Sequence, residues 1–116
     1  MYMVFIMKSR ISNHLPGKLG LALLGLGFDI QLARKKRGLT IAMMAERVGV
    51  AVPTYRRIEQ GDPSVSLGAV AMTLFVLGFA ERIKDLADPG TDDQGLALDA
   101  VRLPKRVRTR KQAPAL

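Results

Sequence analysis

The stretch from Thr40 to Gly61, TIAMMAERVGVAVPTYRRIEQG, limits what this chain can fold into more than any other. Apolar residues at Ile41, Met44, Ala45 and Val48 follow the i, i+3, i+4, i+7 spacing of one buried helical face. Thr40 is a good N-cap, because its hydroxyl can accept from an orphaned backbone N–H of the first turn. Gly49 stands just past the last turn, where a left-handed residue is usually wanted. Pro53 fits the first turn of a second helix, since its missing N–H needs no partner there. That helix runs to about Gln60 and stops at Gly61, with Tyr55 and Ile58 inward and Arg56 and Arg57 outward. The expectation is two short helices joined by a tight turn, the second presenting arginines to a partner.

The partner's chemistry follows from charge. A chain of 116 residues is one domain plus appendages. It carries a formal net charge of +8 and a pI near 10.5. That balance points to a polyanion, most simply nucleic acid, with an anionic membrane surface as the weaker reading. Aromatic residues make up only 5%. Single strands and RNA need exposed stacking platforms, so duplex DNA is favoured. With no cysteine there is no disulfide framework and no thiolate metal site. No Ser/His/Asp set, metal-ligand spacing or convergent carboxylate pair is present. An enzyme is therefore not expected, and no cofactor or metal is implied. His14, the single histidine, reads as a solvated loop residue.

Several positions make the two-helix pattern specific. Ala45 is small where the helices cross, Gly49 makes the turn, Val50 plugs beneath it, and Ile58 and Glu59 precede the stop. The text LTIAMMAERVGVAVPTYRRIEQG from Leu39 resembles the Xre/Cro-type helix-turn-helix family, whose usual form is close to LTQxELAExxGVSxxTISRIExG. The resemblance spans residues 27–88. It implies an all-α, five-helix, lambda-repressor-like DNA-binding domain there, with flexible extensions at 1–26 and 89–116, the latter a linker and basic tail. It implies that Arg34 and Glu59 form a largely buried bidentate ion pair tying the first helix to the third. Base contacts would come from Ala51, Val52, Pro53, Thr54, Arg56 and Arg57. Phosphate contacts would come from Lys35, Lys36, Thr40 and Gln60.

The chain also departs from the family's pattern. Ile41 replaces the usual glutamine, a common phosphate anchor. Val52 and Pro53 cannot donate to a base edge, although they can touch a thymine methyl. Arg56 and Arg57 are left to reach guanine or phosphate. These changes keep a rival reading alive, a protein-interaction module that neutralises a partner without operator recognition.

The flanks are less legible. Met1 to Met7 is a short apolar run with three competing readings: an extra strand pairing with a second subunit, a tail, or an artefact of the start codon. It is too short to span a membrane. Leu15 to Gly27 reads as a leader with a short helix. Its glycines are not in phosphate-loop order. Phe28–Arg37 reads as the first domain helix, with Phe28, Ile30, Leu32 and Ala33 inward. Ser66 caps a helix over Leu67–Leu77, with Leu67, Val70, Ala71, Leu74 and Leu77 on one face and Gly78 as its stop. Phe79–Ala87 forms a short fifth helix with Phe79, Ile83 and Leu86 inward. Thr91–Gln94 is a linker and Gly95–Arg102 a short amphipathic turn of helix. From Leu103 onward Lys105, Arg106, Arg108, Arg110 and Lys111 form a basic run, usually disordered when free, that can follow DNA phosphates. The segments GLAL and LPKRVR resemble the C-terminal ends of HipB-like regulators, often antitoxins paired with a HipA-like kinase toxin. That resemblance implies a protein partner, with a HipA-like kinase as the candidate; with the helix-turn-helix resemblance the expectation is a cytoplasmic, nucleoid-associated homodimer on a palindromic operator, with no membrane role. Family dimers usually use the fourth and fifth helices or segments outside the core.

Overall fold

A computed structural model describes residues 14–112, with side chains through Arg102. The described residues are helical and contain no strand. The chain divides into two compact units between Ala80 and Glu81. The first holds α1 (Gly17–Lys36), α2 (Ile41–Val48), α3 (Val52–Glu59) and α4 (Leu67–Leu77). A 3-10 segment, Ala80–Asp85, begins at the division. The second unit continues with a 3-10 turn, Pro89–Thr91, and α5, Asp93–Gln112.

Local chemistry sets the short helices. The Thr40 hydroxyl accepts from the Met43 N–H at 3.1 Å and opens α2. Gly49 closes it at φ 86°, a left-handed conformation that would strain any side chain. Ser66 accepts from the Ala69 N–H at 3.1 Å and opens α4, which Gly78 ends. α2 packs on α3 and α4, and α1 lies across α3 and α4. The core between them is Ile30, Ala33, Met44, Ala45, Val48, Tyr55, Ile58 and Leu77. Ile41, Val50 and Val52 pack against it from the side.

Four expectations change. The glycine-rich leader and the first domain helix are one continuous helix, α1. Glycine carries a low helix propensity, which makes Gly20, Gly25 and Gly27 read as breakers, but packing overrides propensity. Gly27 is the buried crossing point: a Cβ there would sit 2.8 Å from the Gly61 backbone nitrogen and against the Glu59 carbonyl. Gly61, at φ 72°, closes the same contact, where a Cβ would lie 2.7 Å from the Leu23 carbonyl carbon.

The second change concerns inward faces. Phe28 is 62% exposed and Leu32 43%, so only Ile30 and Ala33 of the expected four enter the core. On α4, Leu67 is exposed and the inward line runs through Thr73 and Leu77. Thr73 is fully buried and donates its hydroxyl to the Ala69 carbonyl at 2.9 Å, which removes the cost of burying it. Third, the element after Phe79 is 3-10 rather than α, and Leu86 is exposed. Phe79 itself packs against the core. Fourth, the tail is helical over Asp93–Gln112, longer than the short turn expected. Asp92 caps it by accepting from the Gly95 N–H at 2.9 Å. The Met1–Met7 run lies outside the described residues.

Gly27→Ala should destabilise the fold by about 2 kcal/mol or more, because two backbone segments must separate. Gly25→Ala, with open space around it, should be neutral or stabilising by up to about 1 kcal/mol. Thermal melts of the two variants check this contrast.

Candidate nucleic-acid interface

The second helix of the α2–turn–α3 pair presents one face to the core and one to solvent. Tyr55 and Ile58 are buried, so Arg56 and Arg57 must point away and both are exposed. Ala51 and Pro53 are exposed, Thr54 is half-buried, and Gln60 is exposed at the end of α3. Val52 is half-buried and packs against the core, so only part of its side chain is left for a ligand. The N-terminus of α3 has no side-chain cap, because Ala51 lacks an oxygen. Backbone N–H groups of such a first turn favour an anion.

The orientation of α3 is set by a charge network at its far end. Arg34, on α1, meets Glu59, on α3, side-on. Its Nε donates to Oε2 at 2.5 Å and its Nη2 to Oε1 at 3.1 Å. The third arm, Nη1, donates to the Leu39 carbonyl at 2.9 Å. Both side chains of the pair are more than nine-tenths buried. Tyr55 completes the group by donating its hydroxyl to Glu59 Oε2 at 2.5 Å. From sequence alone Tyr55 is simply an inward residue of this helix. The i, i+4 spacing of Tyr55 and Glu59 is the signal for the contact.

Each shift in acidity has a cause in this geometry. The Arg34 guanidinium is held above its usual range, first by its hydrogen bond to Glu59. The Tyr55 phenol is pushed well up, chiefly by burial and then by its bond to Glu59. The Arg34 cation and the Tyr55 O–H donor therefore persist across the physiological range. No described buried side-chain nitrogen or oxygen lacks a partner.

Further cations are exposed on the first unit. Lys35 and Lys36 are exposed in the last turn of α1, where they also suit the helix dipole. Arg37, next in line, is committed internally. Its Nη1 donates to the Ala33 carbonyl at 2.8 Å and its guanidinium lies 5.1 Å from the centre of the Phe79 ring. Thr40 is exposed but its oxygen already caps α2. After α3, Asp62 accepts from the Ser64 N–H and hydroxyl at 2.8 Å each. The Ser64 N–H holds that carboxyl below the usual carboxylate range. Lys105, Arg106 and Arg108 lie on the helical backbone of α5, in the second unit. Among the described residues no group of His, Cys, Asp and Glu could hold a metal ion, and no helix is long and apolar enough to cross a membrane.

The helix-turn-helix family model matches residues 30–71, from Ile30 on α1 through Ala71 on α4. That segment contains the whole α2–turn–α3 pair and both partners of the ion pair. The match supports the Xre/Cro-type resemblance and, with it, a DNA-binding regulator of transcription. No curated protein and no solved structure matches the chain.

Glu59→Gln or Arg34→Met alone should each destabilise the fold by about 3 kcal/mol or more, because a buried charge is left unpaired. The double variant should lose less than the sum, and a double-mutant cycle by denaturant unfolding measures the difference.

Proposed function

We propose that this chain is a homodimeric transcriptional repressor that binds double-stranded DNA, and is the antitoxin of a HipA-like toxin pair autoregulating its own operon. It would act in the cytoplasm, on the nucleoid. The observation that carries the DNA reading is the division of α3 into two faces. Tyr55, Ile58 and Glu59 fix the helix from behind, which leaves Arg56 and Arg57 projecting from a rigid support. Rigid placement is what base readout requires, since a misdirected arginine gives only a phosphate contact.

In this reading Ala51, Pro53, Thr54 and the open edge of Val52 approach the groove. Arg57 and Arg56 read guanine, while Lys35, Lys36, Thr40, Gln60 and the basic tail contact phosphate. A two-fold dimer would set two α3 helices about 34 Å apart on one face of the duplex. The tail's resemblance to HipB-like regulators is the support for a HipA-like kinase as partner. The rival from another class is an interaction module that neutralises a partner protein and no longer reads an operator. The apolar side chains of Ile41, Val52 and Pro53 favour it, because none of them can donate a hydrogen bond to DNA.

The test is competition between the DNA upstream of the chain's own gene and a scrambled duplex, over a salt series. The expected preference is about a thousandfold or more. Arg57→Ala should reduce that preference, whereas Lys35→Ala should weaken both duplexes alike and lower the salt slope by about one. Equal, steeply salt-dependent binding to both duplexes would overturn operator recognition and favour the rival.

A further inference from the structure

α1 is apolar on two opposite sides, and the core uses only one of them. Ile30, Ala33 and Arg34 are buried on the inner side. Leu21, Leu24, Phe28 and Leu32 are 70%, 55%, 62% and 43% exposed. At about 100° per residue these four fall in an arc of about 80° facing away from the core. The stripe is bounded by charge: Lys35 falls in the same arc at its C-terminal end, and Lys18, Asp29 and Lys36 flank it. The four side chains leave an exposed apolar patch on the order of 400 Å², a size at which a monomer's largest patch is often functional.

The stripe also carries a glycine that the fold does not explain. Gly27 is required where α1 crosses the end of α3, but a Cβ on Gly25 would meet nothing within 4 Å. A mid-helix glycine costs about 1 kcal/mol relative to alanine. Gly25 lies at the edge of the exposed arc, beside Phe28 and Leu32.

We infer that the outer face of α1 is a dimer surface, and that its occupant is the same face of a second copy. The face is complementary to itself. A closed two-fold interface requires that residue i meet j while j meets i. A two-fold axis passing between Leu26 and Gly27 maps Leu21 onto Leu32 and Gly25 onto Phe28. Each Phe28 ring then enters the open space over the partner's Gly25, and the leucines at either end close over each other. The spacing is that of any helical stripe; what singles out a second copy is that the open position over Gly25 and the exposed Phe28 that would fill it lie on the same face at symmetric places. Helices crossing at an angle splay at their ends. That carries Lys18 and Lys35, which the same axis pairs, away from each other. A stable interface needs about 800 Å² from each partner, so the stripe supplies its apolar centre and the flanks supply the rim.

The inference gives the proposed homodimer a surface and rests on that reading for its purpose. Its test contains no DNA, so a missing operator preference leaves it untouched. Sedimentation equilibrium of the full chain over a concentration series should show a monomer–dimer equilibrium. Phe28→Glu should abolish the dimer, yet melt like the wild type at concentrations where both are monomeric. Gly25→Leu should melt no lower than wild type, because the space is open, but should weaken association at least tenfold by filling the Phe28 site. Phe75→Glu, on the exposed side of α4, should leave the dimer intact. A wild type that stays monomeric throughout would overturn the inference. So would a Phe28→Glu variant that dimerises normally, or a dimer that only Phe75→Glu dissolves.

Discussion

The Arg34–Glu59 pair is the contact on which the exposed surface of this protein depends. Burying two charges has a desolvation cost that their attraction offsets only with good geometry and full hydrogen bonding. Here both conditions hold. Glu59 receives Arg34 through two donors and Tyr55 through a third, and the remaining guanidinium arm goes to the Leu39 carbonyl. An apolar substitute could fill the same volume, but it could not specify an angle. The planar fork fixes α3 relative to α1 and to the loop that leads into α2. An eight-residue helix has little stability of its own, so its direction must come from such contacts.

The glycines at the same end support that direction. Gly27 and Gly61 let the backbone of α1 approach the end of α3 more closely than any side chain would allow. The ion pair and this backbone contact act on neighbouring turns of the same two helices. Together they hold the buried face of α3 against α1 and leave the opposite face, with Arg56 and Arg57, to solvent. The helix-turn-helix family match, residues 30–71, includes both partners of the ion pair.

Parts of the fold governed by local chemistry were legible in the sequence. Thr40, Gly49, Ser66 and Gly78 mark helix ends through their own side chains or backbone freedom, and each stands at such an end. Parts governed by distant contacts were not. Gly27 reads as a breaker until the Glu59 carbonyl is known to lie against it. Thr73 is not among the inward residues that apolar spacing gives α4, and its burial rests on its hydroxyl returning to the Ala69 carbonyl. Phe28 and Leu32 satisfy helical spacing for a core, but α1 has two apolar sides and spacing alone cannot say which faces inward. At the candidate interface, the outward direction of Arg56 and Arg57 followed from Tyr55 and Ile58. The structural use of Arg37 and the partial burial of Val52 depend on Phe79 and the core, and no local signal carries either.

The central claim is that α3 is locked by its network rather than held loosely on the surface. Native-state hydrogen exchange of the full chain tests it directly. The amides of Tyr55 to Gln60 should exchange only through global unfolding, with the same opening free energy as those of Met44 to Val48 in α2. Exchange of the α3 amides through a smaller, separate opening, while α1 and α2 stay protected, would contradict the account.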